Sequence, residues 1–267
     1  MAKRVLTIVV LLPIVIISVW LGSWTTTILV AIFTGMAAWE YAGLFKSGKY
    51  QPGTTLIVAG SVALVVARQL YGFDGSSLVL VLLIMTLMIY HVFAYQRGVE
   101  TAAVDFGISL AGIVYLGWMM GYFISLRNLE NGFWWIALAF LASMFSDMGA
   151  FLIGRKIGRH KMMTRVSPNK SWEGYIGGVI VSMLLTTLIA WGIHLFIPAV
   201  SILGGFVMGL VISILAPLGD FGESMLKRPF GIKDSSDLIP GHGGFLDRID
   251  AFLWAAVLGY YLTLILT

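Results

Sequence analysis

The chain has 267 residues, a length usual for one or two water-soluble domains, but its composition excludes a soluble protein. Hydrophobic residues make up 59% and charged residues 11%, against roughly 45–50% and 25% in soluble proteins. The 17 basic and 13 acidic side chains are too few to cover a water-soluble surface. The absence of cysteine excludes thiol catalysis, disulfides and cysteine-ligated metals. The net charge of +4 is explained by membrane topology, and no nucleic-acid partner is expected.

Nine apolar runs are long enough, or nearly so, to cross a bilayer core of about 30 Å as helices of roughly 20 residues. Lipid offers no hydrogen-bond partner to an open sheet edge, so the runs are predicted to be helices rather than strands. The sequence therefore predicts an all-α, polytopic integral membrane protein with about nine transmembrane helices. The runs are 5–21, 25–44, 54–70, 78–95, 105–125, 133–153, 175–197, 200–218 and 251–266.

The basic residues indicate how these helices are oriented. With a cytoplasmic N-terminus and nine crossings, fifteen of the 17 basic residues fall on inside segments, and only Arg68 and Arg127 fall outside. Cytoplasmic loops carry such an excess of Lys and Arg. We therefore predict N-terminal transmembrane helices over 1–132 and a catalytic transmembrane region over 133–267. The catalytic region has two long cytoplasmic loops, 154–174 and 219–250.

The second long loop is rich in charge, with six of the 13 acidic residues between positions 220 and 250. Asp220, Glu223, Ser224 and Lys227 are spaced i, i+3, i+4 and i+7, so a helix places them on one face. Such a face can bind a cation and the phosphate that the cation neutralises. The alternative is a surface helix with an ordinary Glu223–Lys227 pair. Asp220 favours a functional site, because it ends an apolar run and ionisable groups at membrane depth are costly.

Further acidic residues are predicted at the same depth. Asp247 and Asp250 open the last apolar run on one helical face, and Asp147 lies near the inner end of the sixth run. Carboxylate oxygens without cysteine suit Mg²⁺ rather than Zn²⁺. The glycine-rich turn 240–244 can bring backbone N–H groups to a phosphate. Lys170, in a compact Pro/Asn/Ser turn before a helix, is predicted to bind phosphate.

The stretch 224–250, SMLKRPFGIKDSSDLIPGHGGFLDRID, resembles the signature of the phosphatidate cytidylyltransferases, also called CDP-diacylglycerol synthases. No position of the 27 departs from that signature. The upstream run 167–174, SPNKSWEG, also fits the family. The resemblance covers about residues 143–250 and implies that CTP and phosphatidic acid react to give CDP-diacylglycerol and pyrophosphate.

The resemblance also implies where the reaction takes place. A polar, metal-containing cavity at the cytoplasmic face would open to water for CTP and to the inner leaflet for the lipid. The expected location is a bacterial inner (plasma) membrane. The family is further associated with homodimers and with a second, monovalent cation such as K⁺.

The site residues are assigned as follows. The catalytic group comprises Asp220, Asp247, Lys227 and Arg248; the substrate-binding group comprises Lys170, Ser224, Arg228, Lys233, Asp234 and His242; and the Mg²⁺ ligands comprise Asp220, Asp247, Asp147 and Asp250. The lipid phosphate is already ionised near neutral pH, so His242 is expected to contact phosphate or hold the glycine turn rather than act as a base.

Two other functions are considered. A secondary transporter also carries buried charges, but its site lies near the bilayer midplane between repeats. Here the charges lie at one edge of the membrane, and the sequence shows no internal repeat. A kinase acting on a membrane lipid alcohol would need the same Mg²⁺ and cations, so it stays an alternative.

Overall fold

The computed structural model describes residues 2–236, 238 and 243–267, with the side chains of 2–8 and 10 outside that description. It is built almost entirely of helices. These are α1 (Ala2–Leu21), α2 (Ser23–Lys46), α3 (Thr54–Gln96), α4 (Ala102–Gly112), α5 (Met119–Arg127), α6 (Gly132–Ile157), α7 (Trp172–His194), α8 (Ile202–Leu215), α9 (Pro217–Lys227) and α10 (Leu246–Leu266). A π-helical turn (Ile113–Trp118) joins α4 to α5, and a 3₁₀ turn (Arg228–Phe230) follows α9.

Seven helical segments among the described residues are long and apolar enough to cross a membrane. They are Ser23–Lys46, Thr54–Gln96, Ala102–Arg127, Gly132–Ile157, Trp172–His194, Ile202–Phe230 and Leu246–Leu266. A shorter apolar helical segment, Leu11–Leu21, precedes them. Many of their large apolar side chains are exposed, as expected for surfaces that face lipid. The predicted all-α, polytopic membrane protein is confirmed.

Helix α3 is a hairpin of two antiparallel halves that reverse direction at Gly72. Gly72 has φ 63° and ψ −150°, a backbone conformation that glycine adopts without the steric cost other residues meet. The halves pack together, because a Cβ on Gly60 would lie 3.0 Å from Leu83. Closer to the turn, Arg68 Nε donates to Ser76 Oγ at 2.9 Å. Two of the predicted apolar runs therefore lie in this one element.

The Arg68 guanidinium, which the sequence places in an outside loop, is instead buried near the hairpin turn, with 2% of the residue exposed. It lies 3.7 Å from the centroid of the Phe73 ring and 4.5 Å from that of Trp118. Its Nη1 donates to Ser125 Oγ at 3.1 Å. Aromatic faces and hydroxyls replace the water that a buried cation loses, so Arg68 ties the hairpin to the helix that ends at residue 127.

The described chain forms two compact units. The first comprises Met1–Ser125 and Pro229–Arg248, and the second comprises Leu126–Arg228 and Ile249–Thr267. In the first unit, the Tyr41 hydroxyl donates to the Ile108 carbonyl at 3.1 Å across a buried core. In the second unit, Ser182 Oγ lies between the carbonyls of Ala142 at 2.7 Å and Gly209 at 3.1 Å. Helices α6, α7 and α8 pack together through that hydroxyl.

A short antiparallel hairpin departs from the all-helical prediction. Strand β1 (Lys161–Met163) pairs with β2 (Ser167–Ser171), with Lys161 opposite Ser171 and Met163 opposite Ser167. The sequence predicts a compact Pro/Asn/Ser turn around Lys170 rather than a strand, and proline and asparagine are indeed rare in strands. Here Pro168 is tolerated because a two-stranded sheet leaves one edge of each strand without a ladder partner. The hairpin ends directly at the first residue of α7.

Candidate active site

Helix α9 carries the polar face that the i, i+3, i+4, i+7 spacing predicts. Its Pro217 stands in the first turn, where a proline fits because its missing N–H would have no partner inside the helix. Lys227 Nζ lies 2.6 Å from Glu223 Oε2, and their side chains are only 6% and 2% exposed. Ser224 Oγ lies 3.4 Å from Asp220 Oδ1. The pair is therefore buried, and the alternative of a solvated surface helix is wrong.

Three carboxylates meet where α9 approaches α10. One oxygen each from Asp220, Glu223 and Asp250 lies within 4.8 Å of the others. The close approach depends on Gly219, because a Cβ there would lie 2.6 Å from Trp254 Cδ1 and press on the Asp250 carbonyl. Three hard oxygen donors on rigid helices fit Mg²⁺, which binds carboxylates and keeps several waters. Glu223 was predicted on this face but not as a ligand.

Cations accompany these acids. Lys170, at the end of β2, forms an ion pair with the Asp220 carboxylate, and its Nζ lies 4.5 Å from the centroid of the Phe221 ring. The strand is fixed at this end, because Ser171 caps α7 by accepting from Gly174 N at 3.3 Å. Lys170 thus lies against α9, beside the carboxylates, which is where a ligand to a metal-bound phosphate would have to be.

Asp147 is exposed on α6, and the charges of Asp147, Asp220 and Lys170 all act on the Asp250 carboxylate. The structure therefore brings together in the second unit the predicted residues Asp147, Lys170, Asp220, Ser224, Lys227 and Asp250. Acids and cations lie side by side there, so this site can hold a cation and a polyanion at once.

Lys227 and Arg228 point to different surroundings, as their roughly 100° separation on a helix predicts. Lys227 is buried against Glu223, whereas Arg228 is exposed and begins the 3₁₀ turn. Arg228 Nε donates to the Val166 carbonyl at 3.0 Å, in the connection between β1 and β2. Arg228 therefore reaches the strand hairpin rather than the carboxylates.

Asp247 belongs to the first unit, where its Oδ2 accepts three hydrogen bonds. The donors are Ser235 N at 2.8 Å, Ser235 Oγ at 3.0 Å and Gly244 N at 2.9 Å. Lys233, Asp234 and Arg248, in the same unit, are exposed. His242 lies outside the described residues. The predicted phosphate and metal ligands are thus distributed over both units.

The sequence reasoning missed Glu40, a buried acid of α2 in the first unit. Its carboxylate accepts hydrogen bonds from Ser235, Ser236, Phe245 and Leu246. The available signal was its position, because Glu40 is the one acidic residue in the apolar run 25–44. An ionisable residue in a transmembrane segment is a functional candidate by default.

Comparison with known proteins agrees with the resemblance of residues 224–250. Residues 2–266 match the cytidylyltransferase family model. A phosphatidate cytidylyltransferase of Bacillus subtilis (strain 168) is 35% identical over 185 residues, covering 69% of this chain and 65% of that protein. One of Synechocystis sp. (strain ATCC 27184 / PCC 6803 / Kazusa) is 37% identical over 199 residues, covering 64% and 66%. Each match thus spans slightly less than two thirds of the relative. The chain belongs to the cytidylyltransferase family.

Proposed function

We propose that this membrane protein transfers the cytidylyl group of CTP to phosphatidic acid, giving CDP-diacylglycerol and pyrophosphate. The observation that carries the proposal is the cluster of Asp220, Glu223 and Asp250 beside Lys170 and Lys227, in a chain of the cytidylyltransferase family. Relatives named phosphatidate cytidylyltransferase support the choice of lipid.

The reaction joins two polyanions. A phosphate oxygen of the lipid attacks the α-phosphorus of CTP, the new P–O bond forms, and the bond to the bridging oxygen of the β-phosphate breaks. Pyrophosphate leaves with the electron pair of that bond. The attacking oxygen is already ionised, so no general base is required. The protein therefore has to hold the reactants in line and offset their charge.

The carboxylates of Asp220, Glu223 and Asp250 are proposed to hold Mg²⁺. When bound, the ion would neutralise phosphate charge and that of the departing pyrophosphate. Asp147, nearby and exposed, would bind through water. Asp247, whose Oδ2 accepts three hydrogen bonds, is assigned first to the loop that it holds, and its role as a ligand stays a prediction. A homodimer and a second, monovalent cation also stay predictions.

The cations have separate tasks in this proposal. Lys170 and Lys227 balance the carboxylates and would exchange those partners for CTP phosphates when substrate and metal enter. Arg228, on the exposed 3₁₀ turn, would meet the lipid phosphate. Lys233 and Arg248 are further phosphate ligands, with Asp234 and Ser224 orienting the substrates.

The proposed topology has nine crossings, since α3 crosses twice as a hairpin and α1 adds one more. The fifteen-to-two distribution of basic residues supports an active site at the cytoplasmic face of a bacterial inner membrane. A polar cavity there would admit CTP from water and phosphatidic acid from the inner leaflet.

Purified protein in lipid nanodiscs with phosphatidic acid, labelled CTP and Mg²⁺ provides the test. We expect labelled CDP-diacylglycerol and one pyrophosphate per product, and loss of both when the metal is chelated. Asp220→Asn and Asp250→Asn should abolish turnover, whereas Asp74→Asn and Glu130→Gln, at exposed positions outside the assigned site residues, should not.

The same assay separates the alternatives. Phosphorylation of diacylglycerol by a nucleotide would indicate a kinase. Uptake of a solute into sealed vesicles without any lipid product would indicate a transporter. Turnover that persists in both Asn variants would contradict the assigned metal site.

A further inference from the structure

The side chain of Glu40 organises a loop that lies about two hundred residues later in the chain. We call the described residues 233–236, 238 and 243–248 the signature loop, since they belong to the stretch that resembles the family signature. Glu40 is buried, with 2% of the residue exposed. Its Oε1 accepts from Ser236 Oγ at 2.5 Å and from Phe245 N at 3.0 Å. Its Oε2 accepts from Leu246 N at 2.8 Å and lies 3.0 Å from Ser235 Oγ, whose single proton it shares with Asp247 Oδ2.

The signature loop also contains its own carboxylate, Asp247, and Ser235 connects the two acids. The Ser235 hydroxyl lies 3.0 Å from Glu40 Oε2 and 3.0 Å from Asp247 Oδ2. Asp247 additionally accepts from Gly244 N. A Cβ on Gly244 would lie 2.5 Å from Glu40 Oε2, so a larger residue would displace the carboxylate. The two acids thus accept hydrogen bonds from the backbone at residue 235 and at residues 244–246.

Two of the four donors to Glu40 are backbone N–H groups at the start of α10. The first N–H groups of a helix have no partner within the helix, and a buried donor without an acceptor is costly. Glu40 accepts from Phe245 N and Leu246 N at this point, which stabilises the start of α10. Asp250 follows one turn later in the same helix.

We propose that Glu40 is a positioning residue for cytidylyl transfer. It acts through the signature loop, which carries Lys233 and Asp247 and ends at Arg248, and it does not touch the substrates itself. This inference rests on the proposed function, since those residues matter as phosphate ligands only if the reaction is the one proposed.

A purely structural role for Glu40 is distinguished by a matched residue, Asp105. It is also a fully buried acid of the first unit. It accepts from Gln51 N at 2.9 Å and from Thr101 Oγ1 at 2.7 Å. These donors lie in other loops, so Asp105→Asn disturbs a buried carboxylate without touching the signature loop.

The experiment compares Glu40→Gln with Asp105→Asn in the full-length protein in nanodiscs. Glutamine keeps one acceptor oxygen but puts an NH₂ group in place of the other, so either Phe245 N or Leu246 N loses its acceptor. We expect hydrogen exchange in peptides covering residues 243–248 to be at least roughly tenfold faster. Each 1.4 kcal/mol of lost loop stabilisation raises the exchange rate by a factor of ten. We expect kcat/KM to fall by about 10- to 100-fold, the range for residues that orient ligands. Asp105→Asn should leave both measurements unchanged at a temperature where each variant is folded.

Two serine variants provide a graded test. Ser235→Ala removes a hydroxyl that reaches the carboxylates of both Glu40 and Asp247. Ser236→Ala removes a hydroxyl that, of these two acids, reaches Glu40 alone. Exchange in residues 243–248 and the loss of kcat/KM should therefore be larger for Ser235→Ala.

The outcomes separate this inference from the proposed function. If the wild type makes no CDP-lipid, the proposed function fails, while exchange still reports whether Glu40 holds the loop. If exchange in Glu40→Gln equals that of the wild type, the positioning role is wrong even though the enzyme is active. Equal losses of kcat/KM in Glu40→Gln and Asp105→Asn that follow their losses of melting temperature would mean that Glu40 only stabilises the core and has no positioning role.

Discussion

Lys227 Nζ lies 2.6 Å from Glu223 Oε2, one helical turn earlier, in a pair that is almost completely shielded from solvent. Removing one member of a buried ion pair typically costs about 3–5 kcal/mol, because the remaining charge loses this ion-pair contact. Glu223→Gln and Lys227→Met should each lower the melting temperature, and the double variant should recover most of the loss. Melting curves in detergent measure this. A double variant whose melting temperature is as low as that of the less stable single variant would contradict this expectation.

Gly219 allows α9 to approach α10, so a single methyl group should disturb the carboxylate cluster. Gly219→Ala places a Cβ 2.6 Å from Trp254 Cδ1, and such overpacking costs about 1–3 kcal/mol. The Mg²⁺ concentration needed for half-maximal activity should rise, because Asp220 and Asp250 are forced apart.

The control for this variant is Gly222→Ala, one turn further along α9. A Cβ at Gly222 would meet nothing within 4 Å, and alanine favours helix over glycine by up to about 1 kcal/mol. This variant should be at least as stable as the wild type and need no more Mg²⁺. Equal effects at both glycines would mean that the approach of the helices does not determine the metal site.

The hairpin in α3 predicts that its two ends face the same side of the membrane. As one rod, 43 residues would be about 64 Å long, more than twice a bilayer core. The chain lacks cysteine, so single thiols can be introduced at Lys49, Asp74 and Arg97. In intact cells an impermeant maleimide should label Asp74→Cys only. The other two should react after permeabilisation, and opposite labelling of Lys49→Cys and Arg97→Cys would contradict the hairpin topology.

Lys227 and Arg228 should differ in the substrate that they affect. Loss of a buried charged contact costs on the order of 2–5 kcal/mol, or roughly thirty- to several-thousand-fold. Lys227→Ala should therefore lower kcat/KM for CTP severely. An exposed cation near anionic headgroups contributes about 1 kcal/mol of binding free energy. Arg228→Ala should therefore lower kcat/KM roughly fivefold, chiefly for phosphatidic acid. Kinetics at varied concentrations of each substrate test this difference. Equal, modest losses of kcat/KM for CTP and for phosphatidic acid in both variants would contradict both assignments.

Local patterns in the sequence predict much of this fold. Apolar runs predict helices because lipid leaves the backbone no other partner. The spacing of Asp220, Glu223 and Lys227 predicts a shared face, since 3.6 residues per turn bring such positions together. These predictions depend only on residues close in the chain, and the structure confirms them.

Contacts between distant residues were beyond such reasoning. The strand hairpin was missed because the pairing of Lys161 with Ser171 has no strong local signal. The role of Glu40 was missed because its donors lie 195 to 206 residues away. Glu223 was placed on the correct face but not among the ligands, since only the approach of α9 to α10 shows that it meets Asp250.

The hydrogen bonds of Glu40 also constrain how the protein is made. Helix α2 enters the membrane early in synthesis, but Leu246 N becomes available only after more than two hundred further residues have been added. Until then the Glu40 carboxylate lies in a hydrophobic segment without its final donors, and it must form hydrogen bonds with water or with other groups. Membrane insertion of the last helix therefore completes a site begun by one of the first, and ribosome-arrested chains that stop before residue 246 should be integrated into the bilayer yet inactive.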